Sequence, residues 1–246
     1  MTKKTSHPRS RLDLLPTARL ALQSVDHVLR RRDLAAIPLR KVIAIVLVCG
    51  SIYGIAMGAY ASVIGKRSLM EQIPQLIFSG IKVPLLIGFT VIISLPSFFV
   101  INTLMGLRDD FRESLRAIVS AQAGLTVVLA SLCPITLFVY SSLPPERWSY
   151  PFAVLFNAAM FALASVSAQT LLGSYYGELI KRNARHRSMV RMWIVVYAFV
   201  GIQAGYVLRP FVGSPEMAPS FLRKESFQNA YVKVWSLISN VLENLF

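Results

Sequence analysis

Residues 42–64 read VIAIVLVCGSIYGIAMGAYASVI, an apolar run without a single charge. At ~1.5 Å per residue it covers a ~30 Å hydrocarbon core as a helix, and a bilayer leaves its backbone little other choice. Within it Gly50, Gly54, Gly58 and Ser62 recur at four-residue spacing. Four-residue steps advance about 40° past a full turn, so these small residues form an inclined ridge. Another helix can approach such a ridge until the backbones nearly touch.

The rest of the chain extends the pattern. Further apolar stretches occupy about 84–106, 117–140, 151–174 and 192–212, which predicts an all-α, polytopic bundle of five spans. Composition agrees, with 54% hydrophobic and 15% charged residues in 246. The net charge of +14 does not indicate nucleic acid, because the basic residues gather beside the apolar spans. Alternate connecting segments hold 10 (1–41), 3 (106–116) and 5 (177–191) Lys/Arg, against 3 (65–83), 1 (141–150) and 4 (209–246) on the other side. The positive-inside rule therefore predicts an N-terminus inside and a C-terminus outside, and the expected location is the cell (inner) membrane. Three regions result: a basic leader (1–41), the five-span bundle (42–212) and an outer tail (213–246).

Both flanks contain amphipathic patterns. Ala18, Leu22, Val25 and Leu29 step along one face of the leader after Pro16, with Arg19 and Arg30 to Arg32 around them. That predicts a helix on the anionic inner leaflet. Phe227, Tyr231, Val234, Ile238, Val241 and Leu245 predict a helix over 226–246, too polar for a sixth span. It suits the outer interface, the bundle surface or another chain. No signal peptide is expected, since the first span follows a 41-residue polar leader. Cys49 and Cys133 fall inside apolar runs, which argues against a disulfide framework.

Residues 68–84 are the weakest boundary. They are broken by Pro74, Gly80 and Pro84 and carry Gln72, Gln75 and Lys82. The expectation is an interfacial or re-entrant piece that turns into the second span at Pro84. Pro96 and Pro134 lie inside spans and are expected to shape them.

The candidate chemistry is sparse. No Asp or Glu lies in any span, which counts against ion-coupled transport. Asn102, Gln122, Asn157, Gln169 and Gln203, with Thr90, Thr126 and Thr136, are expected to bond between helices. Lys82 and Arg209 stand at the outer ends of spans two and five. Snorkelling to head groups accounts for both, and the sharper reading makes YVLRPFVG (206–213) an ordered elbow whose Arg209 binds a phosphate or carboxylate. In GLRDDFRESLRA, Asp110 and Glu113 resemble a capping box at a self-neutralised helix start. His7, His27 and His186 are scattered without ligand spacing, and no phosphate loop, GxSxG or HExxH occurs. No catalytic residue, metal or cofactor is expected.

The stretch KVPLLIGFTVIISLPSFFVINTLMG, with the charged turn and DDFRESLRAIVSAQA after it, resembles the second and third spans of bacterial Yip-like (Ypt-interacting) proteins. The likeness covers about residues 40–210 and implies a five-span membrane protein. Eukaryotic members are associated with small GTPases and vesicle membranes, but no functional residue transfers. The short leader and amphipathic C-terminal helix depart from the family pattern.

These features favour a non-enzymatic scaffold, assembly factor or complex subunit, with the glycine ladder as a helix-packing surface. Its partner would be span four, rich in small residues from Ala158 to Ala168, or a second chain. The alternative is a small transporter or channel for a neutral solute or lipid; a lipid-modifying enzyme ranks behind both. Partners would be the bilayer and copies of this chain or other membrane subunits, with no nucleic acid.

Overall fold

Every long apolar segment closes its backbone bonds within a helix. The computed structural model describes residues 38–64, 68–146, 148–214 and 216–222. Most of the basic leader and all of the C-terminal helix pattern lie outside them. The described helices are α1 (Leu39–Gly58), α2 (Tyr60–Val63), α3 (Leu69–Leu104), α4 (Phe111–Ser142), α5 (Ser149–Tyr175), α6 (Gly177–Arg182) and α7 (Arg185–Leu208). Five of them, α1, α3, α4, α5 and α7, are long and apolar enough to cross a membrane.

The expected break at Pro84 does not occur. Residues 69–104 form one helix of 36 residues, about 54 Å long, with Pro74, Pro84 and Pro96 inside it. Ser68 caps its start by accepting a hydrogen bond from the Glu71 amide at 3.3 Å. That is half of an S-x-x-E capping box, a signal present in the sequence that the prolines obscured. Two tertiary contacts support the helix through its weak half. The glycine face of α1 packs against its backbone from residue 75 to 84, and the chain after α7 supplies partners for Gln75, Ser79 and Lys82. Packing overrides the local preference of proline, as neighbouring helices allow in membranes.

The helix ends in a Schellman turn. Leu107 N–H donates to Asn102 O (2.9 Å) and Gly106 N–H donates to Thr103 O (3.0 Å). Gly106 sits at φ +70°, the left-handed position this motif reserves for glycine. Asn102 adds a side-chain bond from Nδ2 to Leu107 O at 3.0 Å. It serves its own turn and not, as expected, a bond to another helix.

Neighbour relations set the architecture. α1 lies between α3 and α4; α5 packs on the outer side of α4, and α7 packs on α3. The series α5, α4, α1, α3, α7 nearly closes on itself, but α5 and α7 meet only sparsely. One hydrophobic core, containing Tyr53, Tyr60, Leu129 and Tyr140, joins α1 to α5 through α4. A second, containing Phe98, Ile118, Leu172 and Trp193, gathers α3, α4, α7 and the end of α5. The second core lies at the end of the bundle rich in arginine, termed the basic end. The opposite end, where the chain leaves α7, is the elbow end.

The ladder meets α3, not span four. A Cβ added at Gly50 would lie 3.2 Å from the Pro84 ring, one at Gly54 2.2 Å from Ser79 O, and one at Gly58 3.0 Å from Gln75 O. The two backbones run antiparallel in near contact over this stretch. Ser62, the fourth rung, falls on α2 after a turn at Ala59. The region set aside as interfacial is thus the region the ladder was shaped to receive. Span four touches α1 through large side chains instead: the Tyr53 and Phe161 rings pack edge to face, centroids 5.6 Å apart.

Candidate functional site

The gap between α5 and α7 is a cleft of about 1110 Å³, open at the side of the bundle. Ligand sites typically measure roughly 300–1,000 Å³. Its walls are apolar or small: Val154, Ala158 and Ala162 on α5 face Ala198, Gly201 and Ile202 on α7. Leu86, Ile87 and Thr90 of α3 and Leu125 of α4 form its floor. Val154 and Gln169, both on α5 and lining the cleft, are 15 residues or about 22 Å apart, which gives its length along that helix.

Arg209 marks the elbow end of this cleft. It is the first residue after α7, and its guanidinium carbon lies 3.8 Å from the Tyr206 ring centroid. One terminal nitrogen donates to Tyr206 Oη at 2.9 Å. The Nε atom is buried without a hydrogen-bond partner, and no described carboxylate lies within 4.0 Å of the side chain. A guanidinium has five N–H donors, so this cation retains capacity for an anion.

Lys82 behaves differently, despite occupying the matching end of the neighbouring span. It is fully buried rather than snorkelling to head groups. Its Nζ donates to Pro210 O (2.7 Å) and Ser220 O (3.4 Å) and lies 5.2 Å from the Phe221 ring centroid. One turn back, Ser79 Oγ donates to Phe211 O, and Gln75 Nε2 donates to the same carbonyl at 3.3 Å. Gln75, Ser79 and Lys82 lie on one face of α3 and hold Pro210, Phe211 and Ser220 against it. The elbow is ordered, and its order comes from the polar residues that made 68–84 look unlike a span.

The back of the cleft has two polar crosslinks. Asn157 on α5 accepts from Tyr53 Oη of α1 at 3.0 Å and donates to Tyr140 Oη of α4. Tyr197 Oη of α7 donates to Gln122 Oε1 of α4 at 2.7 Å. Of the expected links, those at Asn157 and Gln122 join helices, Thr90 and Thr126 bond back to their own helices, and Thr136 bonds back to Leu132 O and also meets the Tyr53 hydroxyl of α1. Gln169 turns to the cleft, its Oε1 buried without a partner.

The basic end is closed by ionic contacts that sequence spacing could not reveal. Asp110 does not cap α4; its Oδ2 lies 2.9 Å from Nε2 of the fully buried His186. Arg182 bridges Glu113 at 3.0 Å and Asp110 at 3.9 Å. Arg185 donates to Met105 O at 3.2 Å. The acids of the α3–α4 turn therefore neutralise the α6–α7 turn, in place of the expected self-neutralised helix start. Nearby on α6, Lys181 donates to Glu178 at 2.7 Å and holds that exposed carboxyl below its ordinary range. Among the described residues no group of His, Cys, Asp and Glu has the arrangement of a metal site.

Comparison with known protein families, curated proteins and solved structures returns no match. Function must therefore be argued from the geometry of the site. The sequence picked out Arg209 as an anion contact, and the structure lines the cleft with it. It also picked out Gly50, Gly54, Gly58 and Ser62, but the three glycines are buried against α3 and present no outward surface. The cleft itself was not visible beforehand. Its nearest signal was the run of small residues on span four, several of which remain uncovered because α7 stands away from them.

Proposed function

We propose that this chain is a non-enzymatic, multi-pass protein of the cell (inner) membrane that takes up an amphiphile from the bilayer through the α5–α7 cleft. The observation that carries this reading is the cleft: long, apolar, open sideways and ended by a cation. Its depth suits an acyl chain, and a lateral opening suits a ligand that already resides in lipid. The distribution of Lys/Arg supports an N-terminus inside and a C-terminus outside, which puts the elbow end at the outer leaflet. A lipid-handling role is the lipid branch of the transporter reading. A scaffold or subunit role, including a Yip-like one, would need a contact surface other than the glycine ladder, which is spent within the chain.

The test is photo-crosslinking in membranes with a phospholipid that carries a diazirine on its acyl chain. Labelling should concentrate on cleft-lining residues of α5 and α7. It should fall when Ala158→Phe or Ala162→Phe fills the opening, since both alanines are exposed and line it. Labelling spread evenly over the outer surface and indifferent to these variants would reject the reading.

A further inference from the structure

We infer that the cleft selects a net-anionic phospholipid and that Arg209 is the residue that reads its phosphate. This rests on the amphiphile reading and adds the head-group chemistry. Three observations carry it. First, the Arg209 side chain is held in place rather than free to sweep the interface. It stacks on Tyr206 at 3.8 Å and is tied to the Tyr206 hydroxyl at 2.9 Å. Holding it this way leaves less rotamer freedom to lose on binding, and lost freedom is what usually weakens a surface arginine contact.

Second, its charge is uncompensated among the described side chains, and its Nε is buried without a partner. Nε and a terminal nitrogen form the fork that matches two non-bridging phosphate oxygens. An anion delivered there would satisfy a donor that water reaches poorly. Third, Lys82 occupies the carbonyl of the very next residue, Pro210, from the α3 side. The backbone that carries the guanidinium is thus fixed from behind. A fixed guanidinium with no described carboxylate beside it favours a head group with net negative charge over one that carries its own ammonium.

The apolar channel leads away from Arg209 for about 22 Å along α5, so head and tail have separate, collinear places. Phosphate at this depth, joined to chains in hydrocarbon, is the chemistry of a membrane phospholipid. The sequence paired Lys82 with Arg209 as equivalent head-group contacts. The structure separates them: Lys82 is a buried strut, and Arg209 lines the cleft.

Native mass spectrometry of the full chain in mild detergent tests this, using equimolar phosphatidylglycerol and phosphatidylcholine with identical acyl chains. The wild type should retain phosphatidylglycerol over phosphatidylcholine by about fivefold, the value of roughly one favourable basic contact. Arg209→Gln should still bind lipid but lose the preference. Arg209→Lys should recover part of it, as a point charge without the fork, and serves also where the glutamine variant folds poorly. Ala162→Phe should lose both lipids. Bound lipid without head-group preference, or a preference that survives in Arg209→Gln, overturns the inference and leaves the cleft reading standing. Absence of bound lipid overturns both. So does a cleft filled by a second copy, seen as a dimer that Ala162→Phe abolishes, or by residues 223–246, seen as lipid binding that appears only when they are removed.

Discussion

A Cβ on Gly54 would stand 2.2 Å from the carbonyl oxygen of Ser79, closer than any side chain can sit to a backbone atom. Gly54 is therefore a spacer between α1 and α3. Gly54→Ala should force the helices apart and lower thermal stability in detergent by about 1–3 kcal/mol. A Cβ added at Gly88, on α3, would meet nothing within 4 Å, so Gly88→Ala should be neutral or gain up to about 1 kcal/mol from helix preference. Equal effects of the two substitutions would remove the spacer role.

Lys82 gives a second prediction. Lys82→Met keeps most of the buried volume but leaves Pro210 O and Ser220 O without their donor. Loss of a charged hydrogen bond costs roughly 1.5–3 kcal/mol, and this loss is local to the elbow. Limited proteolysis between residues 209 and 222 should accelerate while cleavage at the basic end is unchanged. An elbow equally resistant in Lys82→Met would show that Gln75 and Ser79 suffice to hold it.

Asn157 joins three helices through two tyrosines, so its effects should not add. Asn157→Leu and Tyr53→Phe each remove one side of the 3.0 Å bond. Their combination should cost less than the sum of the singles by about 0.6–1.7 kcal/mol, the range of hydrogen bonds between helices in membranes. A strictly additive double-mutant cycle would mean that the two residues pack without coupling.

At the basic end, Asp110→Ala and Glu113→Ala separate a buried contact from an exposed one. Glu113 and Arg182 are both largely exposed, so losing that pair should cost about 0.2–1 kcal/mol and less in high salt. Asp110→Ala strands His186, which is fully buried, and should cost more and respond less to salt. Thermal denaturation at low and high ionic strength distinguishes them; a larger loss for Glu113→Ala would reverse this assignment.

The existence and type of the five long helices was legible in the sequence because each is an apolar run of some twenty residues or more, a pattern that suits a helix in hydrocarbon. Partners were less legible. The ladder announced close packing, but no local feature of Gly54 names Ser79, and the small residues of span four made a plausible alternative. Prolines 74 and 84 argued for a break that packing against α1 and the elbow overrode. Arg209 stood out as a cation at a span end. The cleft beside it depends on α5 and α7 failing to meet, a relation among five helices that no window of residues contains.

That incomplete circuit has a mechanical consequence. α5 and α7 are joined at the basic end, by α6 and by the core around Leu172 and Trp193, and beyond that end they meet only sparsely. At the elbow end the path between them runs through α4, α1 and α3, and its tightest contact is the one at Gly54. The width of the cleft at the elbow end is therefore tied to the packing of helices on the far side of the molecule. A single methyl group added at residue 54 should therefore be felt at a mouth it never touches.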